Sequence, residues 1–186
     1  AQDAGACVTS RCRGQDDLPA LERRAGELLE SADIVIVIGG ASVGDRDFAK
    51  PMFAPHGLAL VFDRLAIKPG KPVWLGRAGA RLVLGLPGNP SSAMVTARLF
   101  LVPILERLQG GEGYHAWRDM PLATPLPATG DRETFARAHW GQAGLEVLGN
   151  QDSGVQGGLA RADWLIRCPS SQAGLEAGNT VSALLF

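Results

Sequence analysis

Lys68-Pro69-Gly70-Lys71-Pro72 is the segment of this chain best suited to chemistry. Two ammonium groups lie three residues apart on backbone that two prolines stiffen, and stiff positioning lowers the ordering cost of binding an anion. Local charge points the same way. From Arg64 to Leu105 the sequence carries six basic residues, Arg64, Lys68, Lys71, Arg77, Arg81 and Arg98, and no acid. A formal net charge of −1 for the whole chain leaves −7 for the remainder, the difference between −1 and +6. A basic run can also be no more than a solvated face. The lysine pair between prolines favours an anion site.

Three further groups of residues could join that chemistry. Gly39-Gly40-Ala41-Ser42-Val43-Gly44 follows a short apolar run. Its glycines let backbone N–H groups approach an anionic ligand, and Ser42 adds a hydroxyl. It is neither GxGxxG nor a Walker A loop, and a purely structural turn is the alternative. Asp16-Asp17, Asp45 and Asp47 are acids that could bridge Mg²⁺ to a phosphate. All four precede expected helices, so helix capping explains them as well. Leu86-Pro87-Gly88-Asn89-Pro90-Ser91-Ser92 combines a turn with a helix start, where free N–H groups and the helix dipole favour an anion. His56, His115 and His139 have no metal-ligand spacing and read as structural or exposed. Trp74, Trp117, Trp140 and Trp164 read as core or interface anchors.

The elements that must position these residues follow from hydrophobic periodicity. Leu18, Leu21, Ala25, Leu28, Leu29 and Ala32 recur at helical spacing after Asp16-Asp17. Ile34 to Ile38 is a continuous β-branched run, which suits a strand buried on both faces of a parallel sheet. Helix, buried strand and Gly-rich loop together make the rhythm of an α/β domain, whose ligands sit at the carboxyl ends of the strands. A short helix is expected from Phe48 to about His56 and a strand at 58–62. Val73 to Leu75 and Leu82 to Leu86 flank a turn and should form a hairpin. A long helix should run from Ala93 to about Leu108, capped by Ser91 or Ser92, with Pro103 kinking it or marking its last third. Gly110 to Gly113 marks a linker. Beyond it come strand-like pieces at 135–140, 145–148, 164–168 and 181–186.

The 186 residues, 46% hydrophobic and 20% charged, bound the answer. They suit one or two soluble domains. With 24 Gly and 12 Pro, turns should be many. The longest aliphatic run is five residues, far short of the about 20 a membrane span needs. The net charge near zero argues against general binding to nucleic acid or membrane surfaces. Cys7, Cys12 and Cys168 have no CxxC spacing and an odd count, which suits free thiols in a reducing, cytoplasmic compartment.

Taken in register, the segments 39–47, 65–72 and 86–92 resemble those of the molybdopterin molybdenumtransferase family, the MoeA family, whose eukaryotic relatives include gephyrin. The resemblance runs from about Asp16 to the C-terminus. It implies insertion of molybdate into molybdopterin, with adenylylated molybdopterin and molybdate as substrates, Mg²⁺ as cofactor and AMP released. It implies an incomplete three-layer α/β molybdopterin-binding domain at 1–113, followed by a small all-β, barrel-like domain at 119–186.

Residue by residue, Asp16 and Asp47 resemble the acids near the metal and adenylate. Lys68 and Lys71 resemble cations that hold molybdate and phosphate. Arg137 resembles an arginine that faces the site from the β domain. Gly39, Gly40, Ser42, Gly44, Arg64, Pro87, Gly88, Asn89, Pro90, Ser91 and Ser153 would contact substrate, Ser153 as the serine on the oxyanion.

Members of that family are longer than this chain, with a Thr-Gly-Asp-Glu-type motif that residues 1–15 lack. The chain is therefore expected to be the C-terminal part of a longer enzyme. An α/β sheet without its first strand should associate through the gap, with a second copy or with the rest of that enzyme, because Ile34 to Ile38 is too apolar for an open edge. A non-catalytic binding or scaffolding fragment and a pterin adenylyltransferase-like domain are the alternatives.

Overall fold

The computed structural model describes residues 1–40, 48–149, 151 and 159–186. Ser42, Gly44, Asp47 and Ser153 lie outside the described residues, as do Asp45, Gly157 and Gly158.

Apolar spacing on one face builds α1 (Leu18–Ser31), with Pro19 in its first turn and Asp17 at the N-cap position. Two residues then turn the chain into β1 (Ile34–Ile38). A 3₁₀ helix occupies Pro51–His56, where two prolines disfavour α-helical hydrogen bonding. It packs against α1, and His56 Nε2 lies 2.8 Å from the Glu22 carbonyl oxygen. Strands β2 (Leu58–Phe62), β3 (Ile67–Lys68), β4 (Trp74–Ala78) and β5 (Arg81–Leu86) follow. The expected hairpin is β4–β5, closed at Gly79-Ala80, with Gly79 at φ 59°. The first sheet has the order β1-β5-β4-β2; β1 and β5 are parallel and the other pairs antiparallel.

The long helix differs from expectation in two ways. It starts as α2 (Pro90–Thr96), and its cap is Asn89 rather than Ser91 or Ser92. Asn89 Oδ1 accepts from the Ser91 and Ser92 N–H groups at 3.1 and 3.5 Å. Pro90 suits the first helical position because the N–H it lacks would be unpaired there anyway. A π-helical turn also occupies Ala97–Leu101, and Pro103 marks the last third of the helical run, in the first turn of α3 (Val102–Leu108).

The second sheet takes the order β3-β7-β9-β10-β6, with β8 on β7. Its strands are β6 (Arg118–Pro121), β7 (Glu133–Gly141), β8 (Gly144–Val147), β9 (Trp164–Cys168) and β10 (Thr180–Leu185). Among the described residues the path β7-β9-β10-β6 returns to β8 at a single bridge between Leu122 and Leu145, where Ala123 N–H donates to the Leu145 carbonyl at 2.8 Å, so no full ladder closes the expected barrel. β3, from the first half of the chain, also joins this sheet, beside the start of β7 in parallel register with Ile67 opposite Glu133, so the sheet is not built from the C-terminal region alone. The two sheets share one core, in which Leu84, Leu86, Val95 and Leu99 pack with Phe135, Leu165 and Leu184.

β1 is an edge strand of the described sheet, and Ile38 is 67% exposed. An apolar strand at this edge is the place where the expected second copy or remainder of a longer protein would pair. Ile34 and Ile36 pack toward one core cluster, while Val35 and Val37 pack toward another, with α1 and the 3₁₀ helix. A strand covered on both faces reads as apolar whether or not both its hydrogen-bonding sides are paired. Residues 1–15 supply a 3₁₀ turn at Gln2–Ala4, tied to α3 by Gln109 Nε2 donating to the Ala4 carbonyl, and no strand.

Trp74 and Trp164 are buried and Trp117 stacks on Phe135, but Trp140 is half exposed. Cys7 and Cys12 are exposed, whereas Cys168 is buried, and burial pushes its thiol up to about 11. At pH 8 an aromatic disulfide reagent should therefore modify two thiols rapidly and the third only in denaturant. Rapid reaction of all three would contradict the packing around Cys168.

Candidate functional site

Three of the expected segments meet around the start of α2. β1 and β5 are parallel, so the glycine loops at their carboxyl ends emerge side by side. Gly39 N–H donates to the Leu86 carbonyl at 3.0 Å. A Cβ on Gly88 would lie 3.3 Å from the Gly39 Cα, so glycine at both places lets the loops touch. Pro87 is buried, while Gly40, Gly88 and Pro90 are exposed at this rim. α1 runs back along β1 after a two-residue turn, which brings exposed Asp16 to the same end of the sheet.

The Lys68–Lys71 segment is docked on α2 by Gly70. This glycine has φ 110°, and a Cβ there would fall 2.2 Å from Thr96 Cγ2. Thr96 is itself fixed by its hydroxyl donating to the Ser92 carbonyl at 2.7 Å. The Lys68–Pro69 bond is cis, and the turn is closed by Leu65 N–H donating to the Lys71 carbonyl and Val73 N–H to that of Gly70. Lys68 and Lys71 are exposed, and neither makes an ion pair among the described residues.

The basic run does not form one patch. The β4–β5 hairpin carries Arg77 and Arg81 to the far end of the sheet, where Arg81 pairs with Asp33 at 2.7 Å. Arg98 donates to the Leu185 carbonyl. Arg64 lies exposed, 3.6 Å from Asp63. Strand reversal has dispersed what the sequence lists consecutively, while Lys68 and Lys71 flank the Gly70 that packs on α2.

From the second sheet, Arg137 enters on the face that also carries Phe135, as the two-residue period of β7 dictates. Its guanidinium is fully buried, and NH1 donates to Ser91 Oγ at 2.6 Å. Ser91, in the first turn of the long helix, is buried as well. A cavity of about 400 Å³ lies alongside, with Lys68 and Pro69 on one wall, Thr124 to Arg132 on the other, and Gln151 at its end. Sequence reasoning singled out neither Gln151 nor Arg132. No local signal marks either, because both matter through contacts distant in sequence.

Among the described residues, no three His, Cys, Asp or Glu side chains gather in a way that could hold a metal ion. Nor is any described helix long and apolar enough to cross a membrane.

Comparison with known proteins agrees with this arrangement. The family described as "Probable molybdopterin binding domain" matches residues 1–107, and "MoeA C-terminal region (domain IV)" matches residues 119–186. The molybdopterin molybdenumtransferase of Bacillus subtilis is 30% identical over 189 residues, covering 99% of this chain and 44% of that protein. The Haemophilus influenzae protein of the same name is 34% identical over 161 residues, covering 81% and 39%. The crystal structure of the molybdopterin biosynthesis MoeA protein from Pyrococcus horikoshii superposes with a TM-score of 0.75 at 26% identity, over 91% of this chain and 41% of that one. The chain thus spans less than half the length of the relatives it matches. Its two matched regions, the first covering more than half of its residues, show that the chain belongs to the MoeA family of molybdopterin-binding proteins.

Proposed function

We propose that this chain forms the pterin- and oxyanion-binding part of an enzyme that inserts molybdate into adenylylated molybdopterin and releases AMP. The observation that carries this reading is the convergence of three segments on α2, through the Gly39–Gly88 approach, the Gly70–Thr96 contact and the Arg137–Ser91 hydrogen bond. Lys68 and Lys71 are exposed cations with no ion pair among the described residues, while Arg137 adds buried positive charge behind Ser91. Such an array would hold an oxyanion and stabilise charge developing on it by position rather than by covalent chemistry.

In this reading Gly39, Gly40, Gly88 and Asn89 present backbone to the pterin phosphate, Ser42, Gly44 and Ser153 extend the lining, and Arg64 adds charge at the rim. Asp16 and Asp47 would hold Mg²⁺, which when bound would neutralise the adenylyl phosphate. The described residues do not by themselves assemble that centre, and nothing else here depends on it. Division at 1–113 and 119–186 belongs to the same reading, as does a cytoplasmic setting. So does a partner for the edge of β1, either a second copy or the rest of a longer protein.

Single-turnover assay with adenylylated molybdopterin and molybdate tests the proposal, on this chain and on a longer chain that includes it. AMP release dependent on molybdate is expected from the longer chain, and molybdate binding from both. Pterin binding without molybdate binding or AMP release would favour the scaffolding alternative.

A further inference from the structure

We infer that Gln151 is a positioning residue for Arg137, an inference that rests on the oxyanion-site reading above. It starts from an interruption in the β7–β8 ladder. The register Ala138–Val147 makes Arg137 and Leu148 the next facing pair. One of their two hydrogen bonds is present, from Leu148 N–H to the Arg137 carbonyl at 3.0 Å. In place of the other, the Gln151 carboxamide inserts. Its Oε1 accepts from the Arg137 N–H at 2.9 Å, and its Nε2 donates to the Leu148 carbonyl at 2.6 Å and the Arg137 carbonyl at 2.8 Å. The same Oε1 faces Arg137 Nε at 3.4 Å.

One amide therefore holds both the backbone and the side chain of a single residue. That residue is a fully buried cation that also donates to Ser91, on the first turn of α2. Burying a guanidinium costs free energy that only well-directed hydrogen bonds offset, so its orientation depends on the groups that fix it. Simple closure of the ladder would satisfy the backbone without any amide. Bridging with Gln151 additionally places an acceptor at Nε, which leaves NH1 directed at Ser91. The acceptor and the donor are both needed. A carboxylate would turn an oxygen toward the Leu148 carbonyl, and an apolar side chain would leave Nε without this partner.

Calorimetric titration with molybdate, together with ¹⁵N spectra of the arginine Nε–H groups, tests the assignment. Gln151→Ala and the volume-conserving Gln151→Met should each weaken molybdate binding about tenfold, the scale seen for partners that orient a binding group. Gln151→Glu should not restore it. In these variants the Arg137 Nε–H signal should exchange faster with solvent while the Arg81 signal stays unchanged. The Gln151→Ala/Arg137→Ala double variant should bind no more weakly than Arg137→Ala, which a general loss of stability would not produce. Loss of binding in Arg137→Ala with full affinity in both Gln151→Ala and Gln151→Met would overturn the assignment. Should Arg137→Ala itself leave molybdate affinity unchanged, the oxyanion reading falls, and the Nε–H exchange rate still decides whether Gln151 orients Arg137.

Discussion

Gly85→Ala should destabilise the protein by about 3 kcal/mol, at the upper end of what overpacking a core usually costs. Gly85 lies in β5 directly opposite Trp74 of β4, and the indole lies across it. A Cβ on Gly85 would stand 1.9 Å from Trp74 Nε1 and 2.1 Å from Cε2. Trp74 is fully buried and cannot swing outward without breaking the cluster it forms with Val35, Phe53 and Val83. The conflict therefore falls on the backbone of β5, which also carries the Pro87–Asn89 loop. For a chain of this length the melting temperature should drop by about 6–12 °C. The cause is checked by a double-mutant cycle. In a Trp74→Ala background the added Gly85→Ala should cost almost nothing. An equal penalty with and without the indole would show that the strand, rather than Trp74, rejects the side chain.

Lys68→Ala and Lys71→Ala should each weaken molybdate binding by about tenfold at low salt, with little change in melting temperature. A hydrogen bond to a charged group contributes about 1.5–3 kcal/mol, and 1.4 kcal/mol is tenfold. Both side chains are exposed and make no ion pair among the described residues, so their removal strands no described buried group. Their exposure also means that salt should erode the effect, since the Debye length falls to about 10 Å at 0.1 M. Arg77→Ala is the control, because it removes the same charge from the far end of the sheet and should leave affinity unchanged. Equal losses in all three variants would mean that net charge alone attracts the anion. No loss in either lysine variant would remove the anion site from this loop.

Much of this was legible in the sequence, for identifiable reasons. Helical spacing from Leu18 and the β-branched run at Ile34 to Ile38 carry their own periodicity, so α1 and β1 fall where expected. The three glycine- and proline-rich segments were legible because turns, stiff cation pairs and helix starts need particular residue types at fixed local spacing. Family membership followed from those segments in register. The helix cap was misread by two or three residues, because Asn, Pro and two serines in succession all satisfy capping rules locally. Only the folded chain shows which oxygen reaches the free N–H groups.

What the sequence could not decide was whatever depends on how distant segments meet. A charge run of six cations reads as one basic surface in the sequence, and the β4–β5 reversal carries Arg77 and Arg81 away to the far end of the sheet. The apolar composition of β1 reports coverage of its two faces, whereas its place at the edge depends on hydrogen-bonding partners that no side chain specifies. Gly85 reads as a weak point in a strand until Trp74 is seen across it. Arg137 and Ser91 stand 46 residues apart, as do no periodic signals that could connect them, and they meet because β3 joins β7 and draws the second sheet onto α2. Local residue types determine which elements form and which loops can take an anion. Which side chains share the site is set by strand pairing across the whole chain, a sum of many long-range contacts with no signature at any one position.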